Sequence, residues 1–330
     1  MNSYNNLIHK IAHIDNLKLA YKRTARAKRK TFGYLEFKEY RDVNLHLLSQ
    51  ELLDGTYKIG EYRNFIIYEP KPRLVSALDF KDRLVQHALV GIIEPMFEAT
   101  FLPNTFACRV NLGTHAGVRY IQSELRKEPK PLYYLKTDFS KFFPSVDHNI
   151  LLALIERKIS CKQTLTLIKE IVKPDEVGIP IGSLTSQLFA NVYGSILDNY
   201  IHHELGYRRW ARYMDDVIIL GDDMDKLRQD FYKIAEFSEN NMKLRISKWH
   251  CRSVKNGINF LGYRIWETHK LLRKSSVISA KRKIAKYIKY GDNLALDKFI
   301  ASWKGHAQWA DTYNLLNWLE KKHENHYQYS

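Results

Sequence analysis

Ala211-Arg-Tyr-Met-Asp-Asp-Val-Ile-Ile-Leu220 sets two short apolar runs on either side of adjacent carboxylates. Flanking runs of this kind read as the arms of a hairpin, with Asp215 and Asp216 at its turn. Upstream, Leu132-Tyr-Tyr-Leu-Lys-Thr-Asp138 alternates as a strand and also ends in a carboxylate. Between them the pattern predicts a helix near 149–158 and a longer one from about Thr185 to Glu204. Further out, residues 7–54 read as helices broken by the basic stretch Tyr21-Lys-Arg-Thr-Ala-Arg-Ala-Lys-Arg-Lys30. Residues 57–78 read as paired strands around a Pro70-Lys-Pro72 turn, and a helix follows from Lys81 to about Phe97. After residue 264 the chain is basic and helical again. Helices and strands mixed over one mostly antiparallel sheet predict an α+β fold.

Composition narrows the function classes. The chain has 330 residues, 45% hydrophobic and 27% charged, which suits a globular protein with a sizeable core. Its 52 basic residues against 36 acidic ones give a net charge of +16, favouring a polyanionic partner, nucleic acid before an anionic membrane. Cys108, Cys161 and Cys251 lie far apart in sequence, which argues against a disulfide framework or a zinc knuckle. His202-His203 and the other histidines lack zinc-ligand spacing. No leader segment and no bilayer-spanning apolar run is apparent, so an intracellular protein without a membrane partner is expected.

The carboxylates carry the chemistry. Nucleotidyl transfer uses two divalent ions about 4 Å apart, and hard ions such as Mg2+ need at least two converging carboxylates. Asp138 and Asp215 are the expected ligands, Asp216 a partner standing behind them, and the backbone carbonyl of Phe139 a further metal contact. An isolated Asp-Asp at a hairpin tip is more often a solvated turn than a metal site, and Asp138 alone could cap a helix. Lys71 and Arg73, on the strand pair before the Lys81 helix, suit a triphosphate, with simple surface solvation as the alternative.

Tyr213-Met-Asp-Asp216 in its apolar setting resembles the signature of reverse transcriptases. Leu135-Lys-Thr-Asp-Phe-Ser-Lys-Phe-Phe-Pro-Ser145 resembles their first catalytic motif, and Gly178-Ile-Pro-Ile-Gly-Ser-Leu-Thr-Ser-Gln187 the loop and helix between the two. The 77 residues from Asp138 to Asp215 fit that order. Glu69-Pro-Lys-Pro-Arg-Leu-Val-Ser-Ala-Leu-Asp-Phe-Lys-Asp-Arg-Leu-Val-Gln86 resembles the fingers of bacterial members, and Gly257-Ile-Asn-Phe-Leu-Gly-Tyr263 their primer grip. Tyr34-Leu-Glu-Phe-Lys-Glu-Tyr40, Ile181-Gly-Ser-Leu-Thr-Ser-Gln187, Arg273-Lys-Ser-Ser276 and Gly305-His-Ala-Gln-Trp-Ala-Asp311 are similar to the reverse transcriptases of diversity-generating retroelements.

The resemblance implies a right-hand polymerase: N-terminal extension and fingers over 1–130, catalytic palm over 131–263, basic helical thumb over 264–330. Residues 1–20 are expected to wrap on the fingers. It implies two Mg2+ ions, with Mn2+ as an alternative, and RNA-directed DNA synthesis. It places Arg73 over the incoming deoxynucleotide and Phe143 under its sugar, where an aromatic excludes a 2′ hydroxyl; Phe142 reads as core. Many reverse transcriptases carry Gln where this chain has Ile181, so a hydrogen-bond check on the nascent base pair is expected to be absent. Loss of that check would permit errors opposite template adenine, with gap-filling as the equal alternative. Gly182 is expected to let backbone approach the template base. Gln187 and Asn191, one helical turn apart, read as facing the duplex or as helix packing. Arg23, Arg26, Lys28, Arg29 and Lys30, and Arg273, Lys274, Lys281, Arg282 and Lys283, are expected phosphate contacts, though charge runs are usually solvated faces.

Implied partners are template RNA, RNA–DNA duplex, deoxynucleoside triphosphates and a basic oligomeric helical-bundle accessory variability protein. The implied location is the cytoplasm of a bacterial or phage-infected bacterial cell. Against this stand a retron or group II intron reverse transcriptase, an untemplated abortive-infection polymerase, and an idle RNA-binding scaffold.

Overall fold

A computed structural model describes residues 4–68, 72–173 and 176–328. Four helices open the chain: α1 (Leu7–Ala12), α2 (Ile14–Thr24), α3 (Phe32–Glu39) and α4 (Arg41–Asp54). An antiparallel pair follows, β1 (Arg63–Ile67) with β2 (Arg73–Ala77), and then the long helix α5 (Phe80–Glu98) and α6 (Thr114–Arg126). The central part runs β3 (Tyr133–Phe139), α7 (His148–Glu156), α8 (Lys162–Ile171), α9 (Leu184–Asn199), β4 (Trp210–Tyr213), β5 (Asp216–Gly221), α10 (Met224–Met242) and β6 (Ile246–Ser253). Three short strands come next, β7 (Ile258–Phe260), β8 (Tyr263–Ile265) and β9 (Lys270–Leu272), and the chain closes on α11 (Lys274–Tyr290), α12 (Asn293–Ala307) and α13 (Tyr313–Gln328).

The main sheet has the order β4-β5-β3-β6, all antiparallel. Strand alternation gives β3 and β5 two unlike faces. Leu135 and Phe139 join Val217 and Ile219 in a core that also holds much of α5, α7 and α9. Tyr134, Ile218 and Leu220 join a second core with α6, the small sheet β7-β8-β9 and the last three helices. Since both faces are covered, β5 runs apolar for four residues, Val217–Leu220, and not in strict alternation.

Several expectations need adjusting. Asp216 is not in the turn but is the first residue of β5, paired with Tyr213; the turn is Met214-Asp215. The helix over 185–204 stops being α at Asn199 and continues as a single π turn, Tyr200–Glu204. The β7-β8-β9 sheet was not expected, and the 263/264 division falls inside β8. Its first hairpin turns on Leu261 and Gly262, φ 50° and 90°, the pair of positive values that a tight two-residue β-turn requires. The N-terminal segment reaches beyond α4 and α5: Tyr4 bridges Ile159 beside α7. Among the described residues no helix is long and apolar enough to cross a membrane. All three cysteines are free.

Candidate active site

Antiparallel register brings the acids together. On β3, Asp138 lies directly opposite Asp216 of β5, while its other neighbour is Lys248 of β6. A shift in the β3–β6 register between Asp138 and Phe139 bends the strand end there. The Phe139 amide donates to the Asp215 carbonyl at 3.3 Å, and Ser247 Oγ donates to the Asp138 carbonyl at 3.0 Å. The Phe139 side chain itself is core.

The Asp138 and Asp215 carboxyl groups are close enough to share a hydrogen bond. Burial, then the charge and hydrogen bond of Asp138, push the Asp215 carboxyl up to about 6. A cation placed beside Asp215 would oppose that rise. Asp216 differs. Lys136, two residues before Asp138 on the same strand face, is its diagonal neighbour, and Lys136 Nζ donates to Asp216 Oδ2 at 2.8 Å and to the Asn259 carbonyl at 2.9 Å. Burial raises the Asp216 carboxyl, Lys136 opposes that rise, and the charge of Arg273 at the start of α11 also lowers it. Among the described residues, Asp216 Oδ1 is buried without a hydrogen-bond partner. Among the described residues no group of three His, Cys, Asp or Glu is gathered tightly enough to hold an ion. Asp138 and Asp215 nonetheless suit a divalent cation: they are half-buried carboxylate oxygen donors set side by side, the kind of donor a hard cation takes.

Asp215 opens onto a cleft of about 1260 Å³ between the β1–β2 pair and the main sheet, which Arg73, Phe143 and Ile181 also line. Both Phe142 and Phe143 line the cleft, Phe142 buried beside Phe139 and Phe143 only partly buried against the core. Ile181 is tied to β2, its carbonyl accepting from the Ser76 amide at 2.9 Å. The space beside Gly182 belongs to β2: at φ 107°, a Cβ would meet Val75 Cγ1 at 3.0 Å and the Ser76 carbonyl at 3.2 Å. Gln187 is exposed, but Asn191 is buried and donates to the Ala107 carbonyl at 2.7 Å, so the two do not form one open face. Lys71 lies outside the described residues.

The basic residues fall in separate places. Arg26, Lys28, Arg29 and Lys30 form the turn after α2, while Arg23 lies against α5 at Gly91. On α11, Lys274 and Arg282 are exposed, Lys281 Nζ sits 4.4 Å from the Trp318 ring, and Lys283 lies over Phe299. Trp303 is core, whereas Trp309 is partly exposed and stacks on His115 at 4.1 Å. Sequence reasoning missed Lys136. Its position i−2 from Asp138 was a usable signal for the shared face, but the diagonal partner depended on strand register.

Fold and site together define a right-hand polymerase of the α+β class. The chain belongs to the reverse transcriptase (RNA-dependent DNA polymerase) family, which matches residues 68–265. It is 24% identical over 296 residues to protein YkfC of Escherichia coli, covering 74% of this chain and 75% of that one. It is 25% identical over 175 residues to the group II intron-encoded protein LtrA of Lactococcus lactis, covering 49% of this chain but only 29% of LtrA. In three dimensions it is similar to apo telomerase from Candida tropicalis, with a TM-score of 0.50 and 12% identity over 63% of this chain and 47% of the telomerase. That last likeness is one of fold.

Proposed function

We propose that this chain copies a dedicated RNA template into cDNA, and that it serves a diversity-generating retroelement. The observation that carries the first part is the meeting of Asp138 and Asp215 at the edge of the cleft that Arg73, Phe143 and Ile181 share. In this reading residues 1–130 are extension and fingers, 131–263 palm and 264–330 thumb. Two Mg2+ ions, or Mn2+ in their place, would supply the charge that activates the primer 3′ hydroxyl and steadies the departing pyrophosphate. Asp138 and Asp215 hold the metal side of the site, and Asp216, fixed by Lys136, stands behind them. Arg73, with Lys71, pairs with the triphosphate; its guanidinium offers two parallel hydrogen bonds to phosphate oxygens. Phe143 packs under the sugar and leaves no room for a 2′ hydroxyl. Most of the catalytic effect then comes from orientation and charge placement.

Ile181 presents hydrocarbon where an amide could check the base pair, which supports errors opposite template adenine and mutagenic retrohoming. The retroelement reading also brings a basic oligomeric accessory variability protein and a cytoplasmic setting in a bacterial or phage-infected cell. The likeness to LtrA favours a second reading, a group II intron-type enzyme with ordinary fidelity. Extension of a primed, adenine-containing RNA template in Mg2+, with products sequenced, separates the two. DNA products that vanish in Asp215→Ala/Asp216→Ala, with errors gathered opposite adenine, support both parts. Faithful products keep the polymerase and move it to the intron type, and no product with cognate RNA and accessory protein removes the polymerase.

A further inference from the structure

Arg212 and Asp198 are each 1% exposed at the side chain, a fully buried ion pair between β4 and α9. The guanidinium meets the carboxylate through both prongs, Nε to Oδ1 and Nη2 to Oδ2, each at 2.7 Å. Thr105 Oγ1 adds a donor to Asp198 Oδ2 at 3.1 Å. The remaining nitrogen, Arg212 Nη1, donates to the carbonyl of Met214 at 3.3 Å and lies 3.5 Å from Asn191 Oδ1. Gly194 makes the seat: a Cβ there would lie 2.5 Å from Arg212 Cζ. Residues 104–106 close the outer edge of β4, Arg212 N donating to the Asn104 carbonyl at 3.0 Å and Phe106 N to the Arg212 carbonyl at 3.0 Å.

The Met214 carbonyl belongs to the peptide that leads into Asp215. Met214 has φ 54°, a left-handed conformation that a methionine does not choose locally. Such a backbone persists only where its surroundings fix it. A buried ion pair is a poor device for stability alone, because desolvation offsets its Coulomb attraction and an apolar pair would fill the space as well. An apolar pair could not donate a directed hydrogen bond to the turn.

We infer that Arg212, held by Asp198, is a positioning residue that fixes the Met214–Asp215 peptide so that the Asp215 carboxylate meets Asp138 around a divalent cation. This rests on reading Asp138 and Asp215 as metal ligands. The test uses two variants, Arg212→Met/Asp198→Leu, which removes both charges together, and Gly194→Ala, which keeps both but displaces the guanidinium. Binding of Mn2+ alone to the full chain, followed by electron paramagnetic resonance, is read beside thermal unfolding and primer extension across a Mg2+ titration. The expected result is a folded protein whose Mn2+ affinity falls on the order of 10–100-fold. At saturating Mg2+, the KM for dTTP stays within about twofold of the unaltered chain. If the double variant does not fold, Gly194→Ala carries the same expectation. A folded variant with unaltered Mn2+ affinity overturns the inference, as does an unaltered chain that binds no Mn2+. An unaltered chain that binds Mn2+ but extends no primer removes the polymerase reading, and the Mn2+ ratio between variant and parent still decides this one.

Discussion

Lys136 holds Asp216 through a pair whose side chains are 14% and 23% exposed, so the cation and the acid depend on each other. Replacing Lys136 with methionine leaves the carboxylate without its donor, and the expected cost is about 1–3 kcal/mol of stability. Denaturant unfolding checks this, and an unchanged midpoint would show that Asp216 had found water or another partner. At the cleft, Phe143→Ala is expected to raise ribonucleotide incorporation relative to deoxynucleotide, read by competition between the two on one template. An unchanged ratio removes the aromatic gate. Ile181→Gln is expected to lower errors opposite template adenine, and an unaltered spectrum would leave Ile181 as a space-filling side chain. Asp138, Asp215 and Asp216 were legible because strand ends and a hairpin carried them. Arg212 was not, because an arginine in an apolar hairpin reads as an edge residue. Nothing in the local sequence announces Asp198 as its partner.

At the scale of elements, alternation and turn chemistry carried most of the main sheet and its flanking helices. The β3 strand, the β4–β5 hairpin, α5 and α9 all lie close to where the pattern put them. Strands β7, β8 and β9 have three residues each, too few for a period of two to register, and so the small sheet was not seen. Gly182 shows the same limit from the other side. A positive-φ glycine was readable as a close approach, but what approaches is β2, brought there by tertiary packing. Gly182→Ala is therefore expected to destabilise the protein by about 1–2 kcal/mol, since an L residue resists that backbone. It should also loosen β1–β2, measured as faster amide exchange at Ser76. Normal exchange with normal stability would mean that the strand pair yields easily.

Across the whole molecule, a net charge of +16 predicts strong salt dependence of duplex binding. With roughly 6–10 phosphate contacts, affinity for primer–template is expected to fall on the order of 10³–10⁵ between about 50 and 200 mM salt, followed by fluorescence anisotropy. A flat response would place most of the charge away from the nucleic acid. A second expectation concerns the joint between α6 and α12, where Tyr263 Oη lies 3.4 Å from His115 Nδ1 and 3.2 Å from His306 Nδ1. Burial lowers both histidines, and His306, Arg119 and Lys270 lower His115 further. Their folded values lie below the ordinary 6.5, so the folded state binds fewer protons than the unfolded one. The joint's contribution is full above that value and is lost as pH falls through the folded values. Thermal unfolding between neutral and mildly acidic pH checks this, and a His115→Gln/His306→Gln variant should flatten the slope over that range.

The order β4-β5-β3-β6 also has a consequence in time. Strand β3 is internal to the sheet, yet both of its neighbours are encoded after it. During synthesis the ribosome must add 114 residues, from 139 to 253, before the second edge of β3 can be covered. At about 5–20 residues per second this leaves the strand with an unsatisfied edge for on the order of ten seconds. The nascent chain is therefore exposed to misassociation at the strand that later carries Asp138. A pause introduced between these points should lower the yield of native protein more than one placed after residue 253.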